Sequence, residues 1–327
     1  MALLLTRDDV AAALTMPEAI SAVEEAFRQQ QRGAAQLPLR TPIRIPQYKG
    51  LVLFMPAYIG GEMDALGMKV VTVYPDNPAV HGLPTILATV LLNDPRTGRL
   101  LAIMDGAYLT AMRTGAASGV ATKYLARADA RVVGIFGAGI QARTQLMAMC
   151  AVRPIVEARV YDPLADHAAA FSREMSQALG IRVQPVADPR AAVEGCDIII
   201  TASTSKTPVF DGAWVAAGTH INGVGSHSLD ARELDATIVR RSKIVVDLRE
   251  AALAEAGDLV MPINAGEITA DHIYADLGEI VTGKPGRSNP DEITLFKSVG
   301  LAIQDVSAAM RVYELARQKG IGQEIAL

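Results

Sequence analysis

An apolar strand, Arg131-Val132-Val133-Gly134-Ile135-Phe136, runs straight into Gly137-Ala138-Gly139-Ile140-Gln141-Ala142, and no other stretch restricts the fold as tightly. Each small residue answers a steric demand. Gly137 allows a tight turn, Gly139 lets the backbone approach a pyrophosphate, and Ala142 lets the following helix lie close to the sheet. That helix, expected from Arg143 to about Val152, would point its free N–H groups and its dipole at an anion. The second strand ends in Tyr161-Asp162, about 20 residues beyond the turn, where a carboxylate accepts bonds from a ribose. A dinucleotide site is therefore expected at Gly137, Ala138, Gly139, Ile140, Gln141 and Asp162, with Ser203 and Thr204 after a later strand as further contacts. A carboxylate bonds a 2′-hydroxyl and repels a 2′-phosphate, so NAD(H) is the expected cofactor, while the nearby Arg143 leaves NADP(H) open.

Apolar runs alternate with helical stretches from this point on: Ala158 to Tyr161, Arg182 to Val186, Asp197 to Thr201, Thr219 to Val224 and Lys243 to Asp247. Alternation of this kind predicts βαβ units and a parallel sheet. The N-terminal third has a different texture. Thr6 and Thr15 each precede an acid three positions on, the spacing of a capping box, and predict two helices. Short β-rich runs follow (Leu51 to Met55, Gly67 to Val73, Thr85 to Leu92), punctuated by glycines, which reads as a mostly antiparallel sheet. A helix rich in small residues is expected from Asp105 to Arg127, and a long amphipathic one from about Ser298 to Gln318. The fold class is thus α/β: a Rossmann dinucleotide-binding domain over 127–297, and an α+β substrate domain formed by 1–126 with the C-terminal helix over 298–327.

At 327 residues the chain is long enough for two domains at roughly 150 residues each. Its 31 Lys and Arg are scattered among 35 Asp and Glu, which argues against nucleic acid as a partner because a duplex binder needs clustered cations. The opening Met1-Ala2-Leu3-Leu4-Leu5 turns charged at Arg7, too soon for a signal peptide, and no run approaches the roughly 18 apolar residues of a membrane span. A cytoplasmic protein without a membrane partner is the expectation. Cys150 and Cys196 lack a second thiol or histidine at ligand spacing and read as buried packing residues; the histidines form no ligand pair, so no metal is expected.

Three cations stand out as substrate ligands. Lys69 interrupts the apolar strand Leu66 to Val71, Arg113 lies in the small-residue helix, and Arg40 follows Leu37-Pro38-Leu39. A long cationic side chain usually reaches water. Lys69 and Arg113 sit among neighbours that make an unpaired charge costly, which favours a functional role.

With these stretches in view the chain resembles the ornithine cyclodeaminase/mu-crystallin family along essentially its whole length. The resemblance is carried by Leu39-Arg40-Thr41, Met55-Pro56-Ala57-Tyr58, Met68-Lys69-Val70-Val71, Met104-Asp105-Gly106, Met112-Arg113-Thr114-Gly115-Ala116-Ala117, Gly137 to Ala142, Thr219-His220-Ile221-Asn222, Arg232-Glu233-Leu234-Asp235 and Gly300-Leu301-Ala302-Ile303-Gln304-Asp305. It implies a homodimer built through the N-terminal domain, acting on a small amino or imino acid, with Arg40, Lys69 and Arg113 at the family's carboxylate-binding and catalytic cations.

The departures choose among activities. Cyclodeaminases carry an acid just before Met-Pro, where this chain has Leu53 and Phe54, and an aspartate after the His-Ile-Asn strand, where Gly225-Ser226 is followed by His227. The arginine that archaeal alanine dehydrogenases keep before Met-Pro is replaced by Leu53. Leu37 to Tyr58 looks most like the mu-crystallin branch, which is similar to ketimine reductases. The resemblance and these departures together point to hydride transfer from NADH to a cyclic ketimine carboxylate, with Arg40 and Arg113 on the carboxylate and Lys69 keeping the imine nitrogen protonated; His227, where the chain departs from the family, is read as a candidate proton relay. An alanine-type dehydrogenase, an ornithine cyclodeaminase and a non-catalytic binding protein of the mu-crystallin kind are the alternatives.

Overall fold

Thr6 and Thr15 open helices as their spacing predicts. The Asp9 carboxylate accepts from the Thr6 N–H at 2.9 Å and that of Glu18 from the Thr15 N–H at 3.0 Å, so the helices Arg7–Ala13 and Met16–Gln31 start with orphan donors satisfied. The computed structural model describes residues 1–326 and comprises two units: Met1–Arg113 with the C-terminal segment from Leu301, and Thr114–Gly300.

The first unit is built on one sheet. Its strands are β1 (Ala2–Leu5), β2 (Ala35–Gln36), β3 (Thr41–Ile45), β4 (Gly50–Ile59), β5 (Ala65–Val73), β6 (Ile86–Asn93) and β7 (Leu100–Asp105). They run in the order β1-β7-β6-β5-β4-β2, with β3 also on β4 and the strand Gln323–Ile325 outside β1. Neighbours are antiparallel except β1 and β7. That parallel pair is absent from the sequence reading: β1 is too short to show alternation, and its Leu3 pairs with the distant Ala102.

Side chains alternate across the pleat, and the odd-numbered residues of β4 and β5 form a covered face with Met55, Ala57, Ile59, Ala65 and Val71 buried. The helices Met16–Gln31 and Ala302–Lys319 pack over it. Lys69 belongs to this face. Gly67, two residues before it, is needed for close approach: a Cβ there would lie 2.7 Å from the Leu91 carbonyl oxygen and 3.3 Å from Val306 Cγ2 of the C-terminal helix. The opposite face is apolar as well, but its Phe54, Leu66, Met68 and Val70 are only half-buried.

The second unit is a parallel sheet of β8 (Val132–Phe136), β9 (Glu157–Tyr161), β10 (Arg182–Pro185), β11 (Ile198–Thr201), β12 (His220–Gly223), β13 (Ser242–Val246), β14 (Ile273–Asp276) and β15 (Ile293–Lys297), ordered β10-β9-β8-β11-β12-β15-β13-β14. This is a Rossmann-type fold. The order reverses at β8, so the carboxyl ends of β8 and β11 form a switch point, the place where such sheets bind ligands. Cys196 is buried and Cys150 half-buried rather than buried; burial pushes both thiols up, to about 12 and about 11.

Two strands of this sheet, β14 and β15, are missing from the sequence reading. β15 is buried along its length between β12 and β13, and it displaces the expected start of the last helix. Beyond it, Ser298 Oγ and the N–H groups of Val299 and Gly300 donate to the Asp247 carboxylate at 3.0, 2.8 and 2.8 Å. Those bonds hold the segment out of a helix, which begins at Ala302 instead of about Ser298.

Candidate active site

The glycine turn has the geometry its residues predict. Gly137 adopts φ 97°, a left-handed conformation that glycine tolerates, and a Cβ on it would lie 2.6 Å from the Ala202 carbonyl oxygen. A Cβ on Gly139 would meet nothing within 4 Å, so this backbone stands open to a ligand. The helix behind the turn starts at Ile140, not Arg143, and Ala142 in its first turn is fully buried.

A cleft of about 650 Å³ opens here, lined by Gly137, Ala138, Gly139, Asp162, Ser203 and Thr204 among others. Leu164, His167 and Pro208 also line it, though the sequence does not single them out. Ile140 and Gln141 form the first turn of the helix and lie outside this lining. Asp162 has two tasks. Its Oδ2 accepts from the Ala138 N–H at 3.0 Å and its Oδ1 from the Leu164 N–H at 2.9 Å, fixing the turn as well as placing an anion in the cleft. Arg143 is committed elsewhere: it pairs with Glu174 at 2.7 Å and donates to the Ala138 carbonyl at 2.6 Å. An open glycine backbone, a helix N-terminus and an acid at the second strand fit a dinucleotide.

Ser203 is held by a buried network that sequence reasoning missed. Glu233 Oε1 accepts from the Ser203 N–H and hydroxyl, both at 2.6 Å, and its Oε2 from the Gly225 N–H at 2.8 Å. One carboxylate thus ties the loop after β11 to the loop after β12. Asp258 Oδ1 accepts from the N–H groups of Glu233 and Leu234 at 2.6 and 2.9 Å, while Lys297 Nζ lies 2.8 Å from Asp258 Oδ2. Burial pushes the Glu233 carboxyl above its ordinary range, with Asp258 adding to the effect and Lys297 opposing it. Glu233 belongs to a motif quoted above, but its polar neighbours give no local sign that it is buried.

In the first unit, Lys69 and Arg113 meet on a single oxygen. Lys69 Nζ donates to Asp305 Oδ1 at 2.8 Å and Arg113 Nε donates to the same atom at 2.9 Å. Arg113 Nη1 donates to Gln304 Oε1 at 2.6 Å. All four side chains are buried, Lys69 at 1% exposure and Asp305 at 0%. Burial lowers the Lys69 ammonium to about 7; Arg113 and, more weakly, Arg40 push the same way, and Asp305 only partly offsets them. A lysine so placed can hold or release a proton near neutral pH. Arg40 is half-buried before β3, near enough to act on Lys69. His227 is exposed after β12, its Nδ1 3.3 Å from the Gly225 carbonyl oxygen. Asp305 and Gln304 were legible only as members of a motif, since an acid in the first turn of a helix ordinarily reads as a complement to the helix dipole.

Known proteins resemble this chain over nearly its whole length. A pyrroline-2-carboxylate reductase from Thermococcus litoralis, solved with NADH and L-proline, is 52% identical, with a TM-score of 0.95, covering 99% of this chain and 100% of that one. An archaeal alanine dehydrogenase dimer with bound NAD is 40% identical, with a TM-score of 0.93, covering 100% and 99%. A Δ1-pyrroline-2-carboxylate reductase of Bacillus cereus is 40% identical over 314 residues, 95% of this chain and 96% of that protein. Residues 1–320 match the pattern of one protein family, and this chain therefore belongs to the ornithine cyclodeaminase/mu-crystallin family.

Proposed function

We propose that this protein reduces a small cyclic α-imino acid, a pyrroline- or piperideine-2-carboxylate, to the corresponding amino acid with NADH. The observation that carries the reading is the buried pair of Lys69 and Arg113 on one carboxylate oxygen. Arg113, with Arg40, binds the substrate carboxylate. Lys69, as ammonium, gives its proton to the imine nitrogen and makes the adjacent carbon electrophilic. A bound nicotinamide supplies the hydride. The C=N bond becomes CH–NH, and Lys69 recovers its proton from water. Relatives whose names or contents are pyrroline-2-carboxylate reduction, NADH and proline support this choice. Leu53 and Phe54 on β4 supply no carboxylate for the cyclodeaminase reaction. Asp162 favours NAD(H), and Arg143 is occupied by Glu174 rather than held free for a 2′-phosphate.

The deciding assay follows NADH oxidation with Δ1-pyrroline-2-carboxylate and Δ1-piperideine-2-carboxylate, beside pyruvate plus ammonia, and ornithine plus NAD. Turnover confined to the cyclic imines is expected. Turnover with pyruvate and ammonia alone, or with ornithine alone, rejects the reading.

We infer a homodimer through the outer face of the first unit's sheet. Antiparallel sheets ordinarily leave one face polar, yet Phe54, Leu66, Met68 and Val70 make this one apolar, and Ile43 and Leu87, in register with it, are 50% and 41% exposed. That a relative, an archaeal alanine dehydrogenase, is a dimer supports a dimeric state, while the choice of face rests on the exposed apolar residues alone. Leu87→Glu is expected to reduce the mass seen by light scattering to that of one chain; an unchanged dimer would move the interface elsewhere.

A further inference from the structure

We propose that Asp305 is the positioning residue of the imine-reducing site, one of its oxygens holding both the Lys69 ammonium and the Arg113 guanidinium at the spacing a substrate needs. The proposal rests on the reading of Lys69 as proton donor and Arg113 as carboxylate anchor. Its starting point is an anomaly. Asp305 is fully buried, and while Oδ1 takes both cations, Oδ2 has no hydrogen-bond partner among the described residues. A buried acceptor left unpaired calls for an explanation, since it is a cost to the fold. A purely structural acid would be expected to spread two cations over two oxygens.

Sharing one oxygen does something that spreading them would not. It keeps Lys69 Nζ and Arg113 Nε within two hydrogen bonds of each other, and Gln304 fixes the plane of the guanidinium through Nη1. The cation that grips the carboxylate and the one that serves the adjacent imine nitrogen are thereby registered against a single atom. Gly67 contributes by letting the helix that carries Asp305 come down onto β5.

Charge supplies the second half of the argument. The charged groups acting on Lys69 are Arg113 and Asp305, with Arg40 acting from the segment before β3. In register on either side lie Met55 of β4 and Val90 of β6, both apolar and buried. Asp305 is therefore the negative charge that opposes the two arginines and the burial. With it, Lys69 retains a proton near neutrality, and a substrate carboxylate completes the balance of charge. Without it, Lys69 faces two cations in an apolar setting and releases its proton before it can be used.

The test titrates Lys69 directly, by the 13Cε shift of labelled lysine, with the peak identified by its loss in Lys69→Met. Asp305→Asn should lower the midpoint by at least about one pH unit, a tenfold loss of proton affinity. The falling limb of the reductive kcat profile should move down in step, KM for the imine should rise, and the Kd for NADH should stay unchanged. Asp305→Glu keeps the charge but displaces the shared oxygen, so it should weaken kcat/KM with the midpoint near its original value. If Asp305→Asn does not fold, the Glu variant still decides: a midpoint moved down by a unit or more there overturns the proposal. So does an unmoved midpoint in the Asn variant, whatever its kcat. The titration needs no turnover, so a protein that fails to reduce imines would reject the proposed function and leave the result on Asp305 readable.

Discussion

Lys69→Met lowers kcat for imine reduction by roughly a thousandfold, the scale of a positioned general acid, and leaves NADH binding intact. The variant should fold, for two reasons. Methionine is a flexible apolar replacement that fits between Met55 and Val90, and removing Lys69 leaves Arg113 and Asp305 as a balanced pair on their 2.9 Å bond. The cofactor cleft belongs wholly to the second unit, so the Kd for NADH, read by fluorescence titration, is expected to match the parent protein. Activity within tenfold of the parent would remove Lys69 from the mechanism.

Lys297→Met is the substitution expected to hurt the fold most. Lys297 and Asp258 are both fully buried and pair at 2.8 Å, with Nζ also donating to the Ser226 carbonyl at 2.5 Å. Removing one partner leaves a carboxylate buried beside Glu233 with no cation, a loss of about 3–5 kcal/mol. At this size that corresponds to a fall in Tm of roughly 4–7 °C. Because Asp258 anchors the backbone that carries Glu233, and Glu233 ties the loops after β11 and β12, NADH should bind more weakly as well. The double variant with Asp258→Asn should recover part of the Tm, since the amide oxygen still accepts from the Glu233 and Leu234 N–H groups. A calorimetric Tm within two or three degrees of the parent for Lys297→Met would show that the pair adds little to stability.

Much of the cofactor half was legible because its determinants are local. The strand, Gly137, Gly139, Ala142 and Asp162 lie within one βαβ unit, and steric and electrostatic demands act on neighbours in sequence. The two capping boxes were readable for the same reason. Lys69 and Arg113 could be marked as unusual from their apolar and small neighbours, without any sign of what they face. The strands β14 and β15 went unread because a short apolar run has no period that separates it from a buried helical segment or a loop.

By itself, the sequence determined the Rossmann turn, the acid at the second strand, the helix starts and the pair of cations out of place among apolar residues. The tertiary structure alone decided that Asp305, 236 positions from Lys69 and 192 from Arg113, is the carboxylate on which both close. It alone inserted β15 between β12 and β13 and seated Glu233 beneath two loops. The reason is physical: propensity, capping and periodicity act over a few residues, whereas the partner of a buried charge is chosen by how whole elements pack.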